Sequence, residues 1–553
     1  MKLYRPRVGS VTLAVLVSAY MLAFTNSTFL DKGLRTFAGH EASFAALIGA
    51  VFLLSVAALT ALSVKYLIKP AFILLVLIAG SASYFTDAFG TIIDREMIQS
   101  ALVTTSGEAR NLLTPNLFLH LALYALLPSL LIGWVRVVHR PFASKFLRNM
   151  AVILPCLCGA LAIVALNYAT FSSIFRERRD LMATLNPGAP IAGAVKYVQT
   201  VTKDRDIVAA PLGTDARQGT RFAAAGQRSL TVIVVGETAR AMNFSLNGYS
   251  RNTNPELSER NVLNFSRTSS CGTATAVSLP CMFSVYPRSD YSTSRGLATQ
   301  NLVDVLSHAG IAVDWFDNNT GSKDVADRIR YEFLPDTNDP RFCMGGECKD
   351  EILVERLKTY LHQRPKTGNA VVVLHQLGSH GPAYFKRYPP EFERFKPACE
   401  TAQFADCTQE EIVAAYDNTI LYTDHILSDI IDLLKAEDPR TATAMVYMSD
   451  HGESLGEDGL YLHGTPYFMA PEAQTHVPFV AWLSDGFAKA GGLAMDCLRG
   501  ERDQPFSHDN LFHTVLGLAD VSTEVYDPSL DAFAACRRGP GPIAGEGDAR
   551  TPS

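Results

Sequence analysis

The pattern of apolar and polar positions changes once along the chain. Up to about residue 171 the apolar residues run in long blocks; from about residue 229 they shorten to runs of five or six between polar and helix-like stretches. The blocks span about Val11–Leu30, Phe44–Leu67, Ala71–Phe85, Leu117–Val138 and Ala151–Phe171. Each approaches the ~20 residues that a helix needs to cross a bilayer, so five spans are predicted, the third being short enough to suit a re-entrant segment as well.

Charge orients these spans. Lys2, Arg5 and Arg7 precede the first, Lys65 and Lys69 separate the second from the third, and Arg136, Arg140, Lys145 and Arg148 separate the fourth from the fifth. Basic ends face the cytoplasm. An odd number of spans then puts everything after Phe171 on the far side, which in a bacterium is the periplasm. The expected layout is a transmembrane domain over 1–172 in the inner membrane, a linker with interfacial helices and a Pro187-Gly188-Ala189-Pro190 turn over 173–228, a periplasmic catalytic domain over 229–537, and a Gly- and Pro-rich disordered tail over 538–553.

In the second half, Leu230–Val235 runs into Gly236-Glu237-Thr238, Ala312–Phe316 into Asp317-Asn318-Asn319, Ala370–Leu374 into His375-Gln376-Leu377-Gly378-Ser379-His380, and Ala444–Met448 into Ser449-Asp450-His451-Gly452. Strands alternating with helical stretches predict an α/β domain with a largely parallel sheet. The ligand crevice of such a sheet lies at the carboxyl ends of its strands, where Glu237, Asn319, His380, Asp450 and His451 can converge although they are far apart in sequence.

The net charge of −6 in 553 residues offers no basic surface for nucleic acid. Cysteine usage adds an independent sign of the compartment. Eight of the ten cysteines lie beyond residue 270, and they fall into sequence neighbours: Cys271 with Cys281, Cys343 with Cys348, Cys399 with Cys407 and, more distantly, Cys497 with Cys536. Such pairs suit disulfides in an oxidising compartment, whereas the Cys-x-x-Cys spacing of zinc ribbons is missing. Cys156 and Cys158, inside an apolar block, read as small buried hydrophobes.

The first pair brackets Ser270-Cys271-Gly272-Thr273-Ala274-Thr275-Ala276-Val277-Ser278-Leu279-Pro280-Cys281. A disulfide there pins a loop rich in hydroxyls, and a pinned hydroxyl next to a base or a metal becomes a nucleophile. Thr273, Thr275 and Ser278 are all candidates. A carboxylate, an Asp-His pair and further histidines, with His463 in Tyr461-Leu462-His463-Gly464, form a ligand set for a divalent metal; the imidazoles favour zinc. Lys323 is placed to neutralise a phosphate oxygen.

Gly236-Glu237-Thr238-Ala239-Arg240, Ser270–Thr275, Ser278–Ser284, His380-Gly381-Pro382-Ala383-Tyr384 and Ser449–Glu457 resemble the lipid A phosphoethanolamine transferases, the family that includes the mobile colistin-resistance enzymes. The resemblance covers about Thr231 to Leu518, and the five-span layout agrees with it. It implies a catalytic domain of the alkaline phosphatase and sulfatase type following the helical transmembrane domain. It also implies Thr275 as the nucleophile, zinc held by Glu237, Asp450, His451 and the Thr275 oxygen, His380 and His463 near the transferred group, and Asn319 and Lys323 on its phosphate. Ser100 and Glu108 match a substrate-contacting segment in which the family commonly has Asn at the position of Ser100.

The activity implied is transfer of phosphoethanolamine from phosphatidylethanolamine to a lipid A phosphate through a phosphothreonine, with polymyxin resistance as the outcome. Acceptors in the lipopolysaccharide core or a periplasmic glucan are the alternatives within the same chemistry. A sulfatase is disfavoured because the Cys-x-Pro-x-Arg run that makes formylglycine is absent, and a polymer-forming glycerol phosphate transferase because the cysteine-rich motifs differ. A non-catalytic membrane sensor with a metal-binding domain would not need Glu237, Thr275, Asp450 and His451 at converging strand ends.

Overall fold

The computed structural model describes residues 4–538 except 105, 179, 205, 206 and 366 and, within helices, the side chains of 106, 108 and 177. The expected tail from 539 on lies outside the described residues. The chain forms two compact units, one from Met1–Ile98 with Leu113–Gln199 and one from Gln99–Leu112 with Thr200–Ser553.

In the first unit the apolar blocks become helices. They are α1 (Ser10–Phe24), α2 (Ser27–Thr36), α3 (Glu41–Ala61), α4 (Ile68–Phe89), α5 (Pro115–Trp134, with a π-helical turn over Ala122–Leu126) and α6 (Phe142–Leu166). Among the described residues, α3 to α6 are each long and apolar enough to cross a membrane. The α1–α2 pair, bent by 66°, brings the number to five when it is counted as one broken span. The bend replaces the straight first span expected from the apolar run, and its cause is local. At the end of α1, Thr25 Oγ1 and Asn26 Nδ2 both donate to the Met21 carbonyl, at 2.8 and 2.9 Å, beside the Thr25 amide at 3.1 Å, so side chains crowd the last helical acceptor where the ladder stops. The third block lengthens to the 22 residues of α4. Gly80 lets α4 approach the π-turn of α5, where a Cβ would lie 2.6 Å from the Tyr124 carbonyl oxygen.

The turn expected near Pro187 is present at Asn186–Pro187, and Gly188-Ala189-Pro190 then opens the helix α7 (Gly188–Asp204), since proline is tolerated in a first helical turn where the backbone amide has no acceptor. One local expectation is corrected. Cys158 is exposed and Cys156 half-buried on α6, so neither packs inside the protein. In an apolar solvent a small hydrophobe needs no protein cover.

A parallel two-stranded ribbon joins β1 (Arg7–Gly9) to β2 (Arg136–Val138). The second unit is built on an eight-stranded sheet of β3 (Arg228–Gly236), β4 (Leu263–Ser269), β5 (Ala312–Asp317), β6 (Arg330–Phe333), β7 (Ala370–His375), β8 (Thr441–Ser449), β9 (His476–Leu483) and β10 (Pro505–Ser507). The spatial order is β10-β4-β9-β8-β3-β7-β5-β6. From β8 to β6 all neighbours are parallel, and β9 runs antiparallel to both β8 and β4. Strands β3, β7 and β8 are buried along almost their whole length, which is why their sequences are near-continuous apolar runs without alternation.

Register places the chemistry. Gly236 pairs with Ser449, and His375 pairs with both Val235 and Asp317, so the four parallel strands β8, β3, β7 and β5 end within one residue of the same level. The residues that follow, Glu237, Asp450, Gln376 and Asn318, leave the sheet together. The helix α8 (Thr275–Met282) and the 27-residue helix α9 (Gln409–Lys435), which a Thr408–Glu411 capping box starts, belong to the same unit. All four expected disulfides are formed, Cys271–Cys281, Cys343–Cys348, Cys399–Cys407 and Cys497–Cys536.

Candidate active site

The loop after β4 ends in α8, and Thr275 is the first residue of that helix. First-turn amides have no partner within a helix and favour negative charge in front of them. The Cys271–Cys281 disulfide ties the loop to the far end of the same helix. Sequence left three hydroxyls open, and hydrogen bonding separates them. Thr273 Oγ1 donates to the Thr465 carbonyl at 2.7 Å, and the Ser278 hydroxyl donates to the Asp450 carbonyl. Thr275 Oγ1 instead donates to Glu237 Oε2 at 2.9 Å and lies 3.4 Å from His451 Nε2.

Glu237, Asp450 and His451 are fully buried, and one potential ligand atom from each lies within 4.8 Å of the others. His451 Nε2 is 3.3 Å from Asp450 Oδ2 and 3.6 Å from Glu237 Oε1. Those two oxygens accept no hydrogen bond among the described residues. Two buried carboxylate oxygens turned towards an imidazole nitrogen with no donor between them call for a cation. The spacings fit zinc, because bonds of about 2.1 Å in tetrahedral geometry put ligand atoms about 3.4 Å apart.

The electrostatics agree. Burial, then the charge of Asp450, push the Glu237 carboxyl well above its usual range. For Asp450 burial acts in the same sense, but His451 and hydrogen bonding outweigh it and hold the carboxyl below its usual range. Burial pushes the His451 imidazole down to about 4, so it is neutral as a metal ligand must be.

Asn319 is not turned towards open space. Its Nδ2 donates to Glu237 Oε2 at 2.7 Å and to the Gln376 carbonyl at 2.8 Å, so it braces the carboxylate. Lys323 Nζ donates to the carbonyl and hydroxyl of Thr320, at 2.6 and 2.8 Å, within a cavity of about 940 Å³ that Ala276 and Pro280 of α8 also line. The His451 and His463 rings lie 4.5 Å apart and those of His380 and His463 5.4 Å apart, forming a row of imidazoles. Gln99 and Val103 of the helix Arg95–Val103 reach the same cavity, whereas Ser100 lies between them in sequence and its carbonyl accepts the Thr104 hydroxyl at 2.8 Å. Glu108 lies in the helix Ser106–Leu112, its side chain outside the described residues.

Four supporting residues escaped the sequence reading. Glu453 receives His463 Nδ1 at 2.8 Å on one oxygen and the Tyr384 hydroxyl at 2.7 Å on the other. Asp317 accepts the Asn319 amide at 2.9 Å, shaping the turn that delivers Asn319; an Asp two residues before a turn amide is a readable signal for this. Buried Asp350 accepts the amides of Leu377 and Gly378, both at 2.9 Å. Gly378 has φ +54°, and a Cβ there would lie 2.7 Å from the Glu237 carbonyl oxygen, so only glycine lets this loop pass. His508 joins two distant segments: its Nδ1 accepts the Cys271 amide at 3.1 Å, and its Nε2 donates to the Ser449 carbonyl at 2.9 Å. No sequence signal marks Asp350 or His508, because each acts on backbone far away in the chain.

Residues 229–521 match the family described as Sulfatase, and residues 51–202 match the one described as Phosphoethanolamine transferase EptA/EptB. The chain is 40% identical over 485 residues to phosphoethanolamine transferase EptA of Escherichia coli strain K12, covering 87% of this chain and 88% of that protein. It is 34% identical to phosphatidylethanolamine transferase Mcr-1 of Escherichia coli, covering 94% and 97% of the two. The solved structure of the integral membrane protein lipooligosaccharide phosphoethanolamine transferase A of Neisseria meningitidis superposes with a TM-score of 0.92 at 34% identity, over 97% of this chain and 100% of that one.

Proposed function

Because this chain belongs to the phosphoethanolamine transferase family, we propose that it moves phosphoethanolamine from phosphatidylethanolamine to a phosphate of lipid A. The observation that carries the reading is the Thr275 hydroxyl, at a helix N-terminus, hydrogen-bonded to Glu237 beside Asp450 and His451. Residues 1–172 embed the protein in the inner membrane, 173–228 connect, and 229–537 carry the chemistry in the periplasm.

Glu237, Asp450, His451 and the Thr275 oxygen would hold zinc. Bound there, zinc supplies positive charge that lowers the cost of ionising a hydroxyl and of crowding phosphoryl oxygens. In the first step Thr275 Oγ attacks the donor phosphorus and gives up its proton along the bond to Glu237. The phosphorus–oxygen bond to diacylglycerol breaks, and His463, oriented by Glu453, delivers a proton to the departing oxygen. In the second step an oxygen of a singly protonated lipid A phosphate attacks the phosphothreonine, its proton passing to His463, while the bond from phosphorus to Thr275 Oγ breaks and Thr275 recovers from Glu237 the proton it gave up. Lys323 and the first-turn amides of α8 hold the phosphoryl oxygens, while His380 completes the imidazole row. Ser100 and Glu108 contribute to holding the lipid substrate.

The test is mass spectrometry of lipids from cells expressing the wild-type protein or Thr275→Ala. Lipid A should gain phosphoethanolamine only with the wild type, and those cells should resist polymyxins, because each added amine offsets a phosphate charge that attracts the cationic peptide. Unmodified lipid A alongside modified core sugars or glucans would overturn the acceptor while leaving the transfer chemistry in place.

A further inference from the structure

The membrane unit has a second built feature that the proposed transfer does not use. The β1–β2 ribbon, with Arg7 opposite Arg136, draws the N-terminal segment, the α3–α4 loop and the α5–α6 loop around one concavity of about 560 Å³. Arg5, Lys65, Lys69, Arg136 and His139 line it, over an apolar wall that includes Val137.

Charge at this end is one-sided. Residues 4–9, 62–70 and 135–149 contain eight Lys and Arg residues and no Asp or Glu. The acidic residues of the same unit, such as Asp31 of α2, Glu41 at the start of α3 and Asp87 near the end of α4, stand at the other helix ends. Among the described residues none of these cations forms an ion pair; Lys69 Nζ meets only the Gly133 carbonyl, at 2.7 Å. His139 Nδ1 and Lys145 Nζ are buried atoms with no hydrogen-bond partner among the described residues. Burial, then the charges of Lys145 and Lys65, push the His139 imidazole down. Tyr66, 84% exposed, lines the cavity, and Tyr4, 81% exposed, stands next to Arg5 in sequence; exposed tyrosines of this kind occur at the level of lipid headgroups.

We propose that this cavity binds the phosphate headgroup of an anionic phospholipid, with the acyl chains lying along the membrane helices. A basic pocket between helix ends is suited to such a headgroup. The lack of any carboxylate leaves the countercharge to the ligand, and the exposed tyrosines and apolar wall favour a lipid over a free ion. A zwitterionic lipid would bring a further ammonium into a cluster of cations, so the same charges that attract an anionic lipid disfavour phosphatidylethanolamine here.

The test uses the full-length protein in detergent, offered equal amounts of phosphatidylglycerol and phosphatidylethanolamine with matched acyl chains and read by native mass spectrometry. At least a fivefold preference for phosphatidylglycerol is expected in the wild type, and little preference in the double variant Lys65→Gln, Arg136→Gln. Equal retention of the two lipids by the wild type, or a preference unchanged in the double variant, overturns the proposal. In a parallel sample millimolar inorganic phosphate should leave the bound lipid in place; complete displacement would mean that the cavity reads a bare phosphate and would overturn the lipid assignment. The wild-type competition alone decides if the variant fails to fold.

Discussion

Asn319 donates its side-chain amide to Glu237 Oε2 over 2.7 Å, across 82 residues of sequence. The bond fixes which oxygen of that carboxylate stays open towards Asp450 and His451. Partners of this kind behind a metal ligand typically govern affinity by 10–100-fold. Asn319→Ala is therefore expected to weaken zinc binding by about that factor, measured by competition with a chelator of known affinity. Unchanged affinity would separate Asn319 from the metal centre.

The three hydroxyls of the Cys271–Cys281 loop should separate by experiment as they do by geometry. Thr275→Ala is expected to abolish transfer with little change in thermal stability, since it removes one partly buried hydroxyl. Thr273→Ala and Ser278→Ala each lose a buried hydrogen bond and should cost about 1 kcal/mol of stability while keeping measurable transfer. A Thr273→Ala protein that folds but is as inactive as Thr275→Ala would move the nucleophile.

Metal removal and readdition should be visible without any turnover. Zinc at about a hundredfold excess over its Kd should stabilise the folded chain by about 2.7 kcal/mol, seen as a rise in Tm when metal is returned to chelator-treated protein. Asp450→Ala should lose both the bound metal, by elemental analysis, and the zinc-dependent part of the Tm. A stoichiometric metal content in that variant would place the site elsewhere.

His508 predicts a pH dependence of stability. Burial pushes its imidazole down to about 4 from an unfolded value of 6.5. Between those values the unfolded chain binds the extra proton, so the His508 contribution is complete above 6.5 and is lost as pH falls towards 4. The loss is on the order of 3 kcal/mol. Chemical denaturation in the presence of chelator, comparing wild type with His508→Gln, should show the gap between the two narrowing by that amount from pH 7 to pH 4. A gap independent of pH would mean that His508 is not buried neutral.

Much of this protein is determined locally, and that part was legible in the chain itself. A bilayer requires about 20 consecutive apolar residues whatever packs against them, so the blocks at α3, α5 and α6 could be read directly. A strand buried on both faces in a parallel sheet is largely apolar, so β3, β7 and β8, and β5 apart from Asp314, were visible together with the polar residues at their ends. The disulfide partners lie close in sequence, apart from Cys497 and Cys536 at a separation of 39. Tertiary structure decided what depends on direction and register. That Thr275 turns its hydroxyl to Glu237 while Thr273 and Ser278 do not depends on the Thr465 and Asp450 carbonyls, which lie 192 and 172 residues from the two hydroxyls they hold. Glu237 meets Asp450 because Gly236 pairs with Ser449, a register set by the whole sheet. Asp350 and His508 serve the site only through backbone amides and a carbonyl of remote segments, and a hydrogen bond to backbone leaves no mark on the identity of its partner.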